Sequence, residues 1–112
     1  MPQQGAVLDR LFQALADPTR RAVVERLGRG PAATSDLARA SAMALPSFIQ
    51  HLEVLEKAGL VSSTKEGRVR TYRLSPKPLH AVEDWMATQR RLWERRLDQF
   101  DENVPTLKET NQ

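Results

Sequence analysis

A chain of 112 residues with 40% hydrophobic and 28% charged side chains has room for one domain of ordinary size, and its composition excludes wholesale disorder. The sequence contains no cysteine, which excludes disulfides, thiolate nucleophiles and thiolate metal sites. Its formal charge of +3 is mildly basic, and no apolar run reaches the roughly 18 residues that a membrane-spanning helix needs.

The opening residues, Met1-Pro2-Gln3-Gln4-Gly5, lack the basic-then-apolar layout of a signal peptide, so a cytoplasmic location is expected. Apolar side chains at Val7, Leu8, Leu11, Phe12 and Leu15 follow the i, i+3/i+4 spacing of an amphipathic first helix. Asp17-Pro18 then reads as an N-cap followed by proline at the first helical position, with Val23, Val24 and Leu27 as the buried stripe of a second helix. Gly28 and Gly30-Pro31 end it.

A short third helix is expected at about Thr34 to Ala40, with Thr34 as its cap and Leu37 and Ala38 pointing inward. After the small-residue connection Ser41-Ala42-Met43-Ala44, a fourth helix begins near Pro46 and runs to Ala58, where Gly59 supplies the left-handed residue of a C-cap. Two helices joined by so tight a turn have the proportions of a helix-turn-helix, here about 34–58. Placed at about 100° per residue, Phe48, Leu52 and Leu55 share one side of the fourth helix, with Ile49 at its edge. Ser47, Gln50 and Val54 take the opposite side and His51 the flank. The hydroxyl, amide and imidazole groups on this outward surface suit base edges and phosphates in a major groove.

From Leu60 to Leu74 the pattern changes to a Val/Ser/Thr-rich run, a Lys65-Glu66-Gly67-Arg68 turn and a period-2 run, the signature of a β-hairpin. Lys65, Arg68, Arg70 and Arg73 face only Glu66 across the nine residues 65–73, so the hairpin tip is basic. A projecting tip of this charge can reach phosphates or a minor groove, and Lys65, Arg68 and Arg70 are its candidate contacts.

Pro76 and Pro78 introduce a last long helix, expected over about 76–104, on which Leu79, Val82, Met86, Gln89, Trp93, Leu97, Phe100 and Val104 recur at near seven residues per two turns. Trp85, Trp93 and Phe100 would enlarge an exposed apolar surface on a lone domain, which favours a homodimer seam through Val82, Trp85, Met86, Trp93 and Leu97, completed by Leu8, Leu11 and Phe12 of the first helix. Pro105 ends the helix, and a frayed tail is expected over 105–112.

No enzyme is expected. Neither histidine, His51 or His80, has a nucleophile partner at motif spacing, and the glycines form no phosphate-binding loop. His80 and Glu83 share a helix face at i, i+3, yet without a second histidine nearby they do not make a metal site. No cofactor is expected.

Three stretches in order carry a resemblance to a known family: Ala14-Leu15-Ala16-Asp17-Pro18-Thr19-Arg20-Arg21 at the start of the second helix, Gln50 through Val61 across the fourth helix and its exit, and Glu66 through Leu74 at the hairpin. Over nearly its whole length the chain resembles the ArsR/SmtB winged helix-turn-helix repressors. That likeness implies a mainly α fold with a small β-hairpin as the wing, at about 60–74, in a single domain spanning 1–112, with the first and last helices forming a homodimer interface. It also implies a transcriptional repressor of double-stranded operator DNA, its own operon included, with recognition-helix contacts at Ser47, Gln50 and His51 and wing contacts at Arg68 and Arg70; Thr34, Ser35 and Lys65 are further expected DNA contacts.

The chain departs from the family at Ile49, where many members have serine two residues before the helix histidine. It also lacks the cysteines and the carboxylate and histidine sets of the metal-responsive members, so it resembles a metal-free branch. An unidentified small-molecule inducer is left open, with an apolar pocket near Trp85 and Trp93 as its expected place. The alternative is a winged-helix module that binds protein or small molecules without operator binding.

Overall fold

Arg20 and the helix ends around it set the first corner of the fold. In the computed structural model, which describes the backbone of residues 2–101 and the side chains of residues 5–99, α1 (Pro2–Leu15) is followed after two residues by α2 (Pro18–Leu27). Asp17 is the N-cap of α2, in extended conformation, and its carboxylate accepts the Arg20 backbone N–H at 3.1 Å, with Pro18 in the first turn. The last carbonyls of α1 lack intrahelical donors. Arg20 supplies them, donating through Nε to Ala14 O at 2.9 Å and through Nη2 to Gln13 O at 2.8 Å, while Arg21 Nη1 reaches Leu15 O at 2.9 Å.

The helix-turn-helix follows as α3 (Thr34–Arg39) and α4 (Leu45–Lys57). Thr34 is not the cap that the sequence suggests. The cap position is Ala33, which makes no side-chain bond, and the Thr34 hydroxyl instead donates to Arg70 O at 3.2 Å across the adjoining strand. The reason is a strand that sequence periodicity does not reveal: Ala32–Ala33 forms β1, which leads directly into α3. It pairs antiparallel with β3 (Val69–Leu74), which also pairs with β2 (Val61–Glu66), giving the sheet order β1-β3-β2.

α4 ends as the glycine predicts. Gly59 has φ +80°, its N–H donates to Glu56 O at 3.0 Å, and Leu60 N–H donates back to Leu55 O at 3.1 Å, the double closure of a Schellman motif. Leu55 and Leu60, the apolar pair that accompanies such a stop, are both fully buried. At the hairpin tip Gly67 takes φ +61° as the first of two turn residues between the Glu66–Val69 pair.

The core lies among α1, α2, α4 and the sheet, where Leu11, Val23, Leu27, Phe48, Leu52 and Tyr72 are buried. Leu11 was expected at a dimer seam with Leu8 and Phe12. It is 0% exposed and therefore belongs to the protomer's own interior; Ala14, one turn on, is also 0% exposed, so this stripe of α1 faces inward.

Two compact units divide between Ala81 and Val82. α5 (Leu79–Asp101) begins three residues later than the proline pair suggests, because Pro76, Lys77 and Pro78 form a lead-in turn whose carbonyls accept from Leu79, His80 and Ala81. Along α5, Trp85, Met86, Leu92 and Trp93 are exposed, while Val82, Gln89 and Leu97 are half-buried. The side chain of Phe100, Val104, and the tail expected at 105–112 lie outside the described residues.

Candidate nucleic-acid interface

The two faces of α4 separate as helical geometry requires. Phe48, Leu52 and Leu55 are buried at 2%, 0% and 0% exposure, Ile49 is half-buried, and Ser47, Gln50 and Val54 are exposed. Ser47 and Gln50, three residues apart, stand on one surface of the helix with no protein hydrogen bond among the described residues, so their donor and acceptor atoms are available to an external partner. On α3, Ser35 is exposed, and Thr34 is half-buried with its hydroxyl engaged by Arg70 O.

His51 is placed differently from its neighbours. Its side chain is 20% exposed, and Nδ1 accepts from Arg20 Nη1 at 2.9 Å while standing 3.7 Å from Asp17 Oδ2. Burial tends to raise the Asp17 pKa. The hydrogen bond from Arg20 N–H, the proximity of His51, a second bond from Thr19 N–H and the Arg20 charge outweigh it and hold the carboxyl below its ordinary range. Asp17 and Arg20 thus tie the start of α2 to the flank of α4. Neither was named from sequence as part of the site. Their signal was the Asp17-Pro18 cap itself, but nothing local shows that Arg20 reaches a residue 31 positions away.

On the hairpin, Lys65 and Arg70 are cross-strand partners and lie on the same face as Ser63 and Tyr72. Arg70 Nη1 donates to Ser63 Oγ at 2.9 Å, and Ser63 in turn donates to Glu56 Oε2 at 3.0 Å, so one side of the wing is linked to α4. On the other face Arg73 donates to Thr64 Oγ1 at 3.0 Å. Lys65 and Arg68 are exposed at the tip and make no ion pair among the described residues. The structure therefore divides the basic cluster: Lys65 and Arg68 are free to pair with an anion, whereas Arg70 and Arg73 brace the strands.

A cleft of about 760 Å³ opens within the first unit between α2, α3 and the α3–α4 turn, with Val23, Leu37 and Phe48 among its apolar walls and Glu25, Arg26, Arg29 and Asp36 at its charged ones. Asp36 is paired with Arg39 at 3.3 Å, and Arg26 donates to Gly30 O at 3.1 Å. The described residues contain no group of three or more His, Asp or Glu side chains able to hold a metal ion. No helix among them is long and apolar enough to cross a membrane.

Comparison with known proteins adds to this geometry. Residues 15–64, from the end of α1 into β2, match the helix-turn-helix domain family. The chain is 50% identical over 74 residues to the HTH-type transcriptional regulator Rv2034 of Mycobacterium tuberculosis, covering 66% of this chain and 69% of that one. It is 30% identical over 79 residues to the transcriptional repressor SdpR of Bacillus subtilis, covering 70% and 88%. Among solved structures, the crystal structure of an ArsR family transcriptional regulator superposes with a TM-score of 0.78 at 53% identity, covering 84% of this chain and 94% of that one. The homodimeric winged helix-turn-helix DNA-binding domain Mb0332 of Mycobacterium bovis superposes at 0.60 with 25% identity, covering 78% and 82%.

Proposed function

The chain belongs to the ArsR family of winged helix-turn-helix regulators and is a DNA-binding transcriptional repressor, and from that membership we propose that it works as a homodimer, with α4 of each protomer in successive major grooves of a roughly palindromic operator. The observation that carries the reading is the division of α4 into a buried apolar side and an exposed polar side, where Ser47 and Gln50 make no protein hydrogen bond among the described residues. Gln50 has the paired acceptor and donor that match adenine N7 and N6. Ser47, Ser35 and Thr34 hold register on the backbone, His51 donates at the flank, and Lys65 and Arg68 reach the phosphates from a wing that Arg70 braces.

The exposed apolar side chains of α5 support dimerisation, with Val82, Trp85, Met86, Trp93 and Leu97 as one contributing surface and Leu8 and Phe12 of α1 as another. The protein acts by occupancy of DNA rather than by catalysis. We place it in the cytoplasm, where operator DNA is accessible. Its regulation does not use a thiolate-bound metal, because the sequence has no cysteine. The cleft beside α3 supports a second reading, a site for a small-molecule effector, which ligand-dependent loss of operator binding would establish.

Fluorescence anisotropy with labelled duplexes tiled across the promoter of its own gene tests the main reading. One duplex is expected to bind at least a thousandfold more tightly than scrambled DNA, roughly the lower bound for specific binding, with affinity falling steeply as salt is added. Binding that ignores sequence, or none at all, overturns it.

A further inference from the structure

Arginine has five N–H donors and no acceptor, so any ring nitrogen facing it at hydrogen-bond distance must offer a lone pair. At Arg20 the orientation of those donors is not adjustable. Nε is committed to Ala14 O and Nη2 to Gln13 O, both at the carboxyl end of α1, which aims Nη1 at His51 Nδ1 at 2.9 Å. The Asp17 carboxylate, which would favour a proton on Nδ1, is 3.7 Å away, beyond hydrogen-bond reach, and its Oδ2 already accepts the Arg20 backbone N–H. The neutral imidazole therefore carries its proton on Nε2, because the bond made by one ring nitrogen dictates the state of the other.

We propose that Arg20 is a positioning residue for DNA recognition: by holding Nδ1 as an acceptor it fixes His51 as an Nε2–H donor, directed to a hydrogen-bond acceptor on operator DNA, either a phosphate oxygen or a purine N7. The proposal rests on the reading of α4 as the DNA-facing helix. Ser47 lies four residues before His51 and so on the same stripe of α4, and the His51 side chain keeps 20% of its surface exposed. Without Arg20 the ring has two tautomers, and a histidine presenting an unprotonated Nε2 to a phosphate or to N7 sets lone pair against lone pair.

Nitrogen-15 shifts of the His51 ring in the full, DNA-free chain test the first half. Nδ1 is expected to resonate as the unprotonated nitrogen and Nε2 as the protonated one, with the two forms mixed in Arg20→Met, which has no donor to offer Nδ1. Nδ1 carrying the proton in the wild type overturns the proposal, as does an unchanged tautomer in Arg20→Met. For the second half, His51→Ala is expected to weaken operator binding about tenfold, the scale of one hydrogen bond to a charged or strongly polar acceptor. Arg20→Met/His51→Ala should lose no more than His51→Ala alone, and losses that multiply overturn the coupling.

Duplexes with single methylphosphonates or 7-deazapurines distinguish the acceptor: one such site should weaken the wild type and leave His51→Ala unaffected. Sensitivity at no site overturns the contact. His51→Ala leaves the α1 and α2 caps intact, so the DNA arm stands even if Arg20→Met fails to fold. A wild type that binds no operator overturns the DNA reading instead, and the ring-nitrogen shifts still decide what Arg20 does.

Discussion

Asp17 couples the cap of α2 to the charge state of the protein. Its carboxylate accepts the Arg20 N–H, and the surrounding hydrogen bonds and positive groups keep its pKa depressed despite partial burial. A carboxyl with a depressed native pKa contributes stability at pH values above its unfolded pKa, and that contribution is lost as pH falls through the native one. Asp17→Asn keeps a capping acceptor but removes the charge. It is expected to melt below the wild type at neutral pH and to converge with it in acid, which a series of thermal melts from neutral to acidic pH will read. Two residues apart on α4, Leu52 and Gln50 separate folding from binding in the same way. Leu52→Ala, at a site with no exposure, should cost about 2–5 kcal/mol by urea denaturation. Gln50→Ala should change stability by less than about 0.5 kcal/mol while relaxing operator discrimination. Which residues of α4 face inward was legible in the sequence, because the helical period follows from backbone geometry alone. Leu11 and Thr34 were not, since a stripe of apolar residues does not say which neighbour covers it, and a threonine before a helix looks like a cap until a strand claims its hydroxyl.

The wing shows what alternation along a strand reveals and what it conceals. The glycine turn and the pairing of β2 with β3 follow from the sequence pattern, because a two-residue loop fixes the register. β1 does not: two alanines carry little β-propensity, and their partners, Tyr72 and Thr71, lie about forty residues away. The same non-local geometry divides the basic residues. Lys65 and Arg68 are open, whereas Arg70 reaches Ser63 and, through it, Glu56 of α4. The double variant Lys65→Ala/Arg68→Ala should therefore fold normally and flatten the salt dependence of operator binding, by about 0.9 in the log–log slope for each phosphate contact removed. Arg70→Ala should in addition loosen the wing against α4, visible as faster amide exchange in β2 and β3. A double variant whose salt slope matches the wild type would place the phosphate contacts elsewhere.

The whole molecule depends on a helix whose outward chemistry is the wrong kind for water. Trp93 is 55% exposed and Met86 53%, and these two share one side of α5 with Val82 and Leu97 at successive intervals of four, seven and four residues. Leu92 and Trp85, seven residues apart, widen that side, and Leu92 was overlooked in the sequence because it lies off the stripe that runs from Val82 through Met86 and Trp93. Burying two such faces against each other removes apolar area that a single protomer leaves in water, and area of this kind contributes about 25 cal/mol per Å². Placing a charge in the middle of the proposed seam reverses the sign, since a carboxylate buried without a partner costs several kcal/mol. Trp93→Glu is accordingly expected to sediment as a monomer at micromolar concentration. The core of the first unit contains none of the residues of that seam, so its circular dichroism should retain the helical signature of α1 to α4. Operator affinity should then fall by more than a hundredfold, because a monomer engages one half-site and loses the effective concentration that a linked second site provides. A Trp93→Glu chain that stays dimeric would move the seam off α5, and a monomer that binds the full operator as tightly as the wild type would remove the dimer from the mechanism.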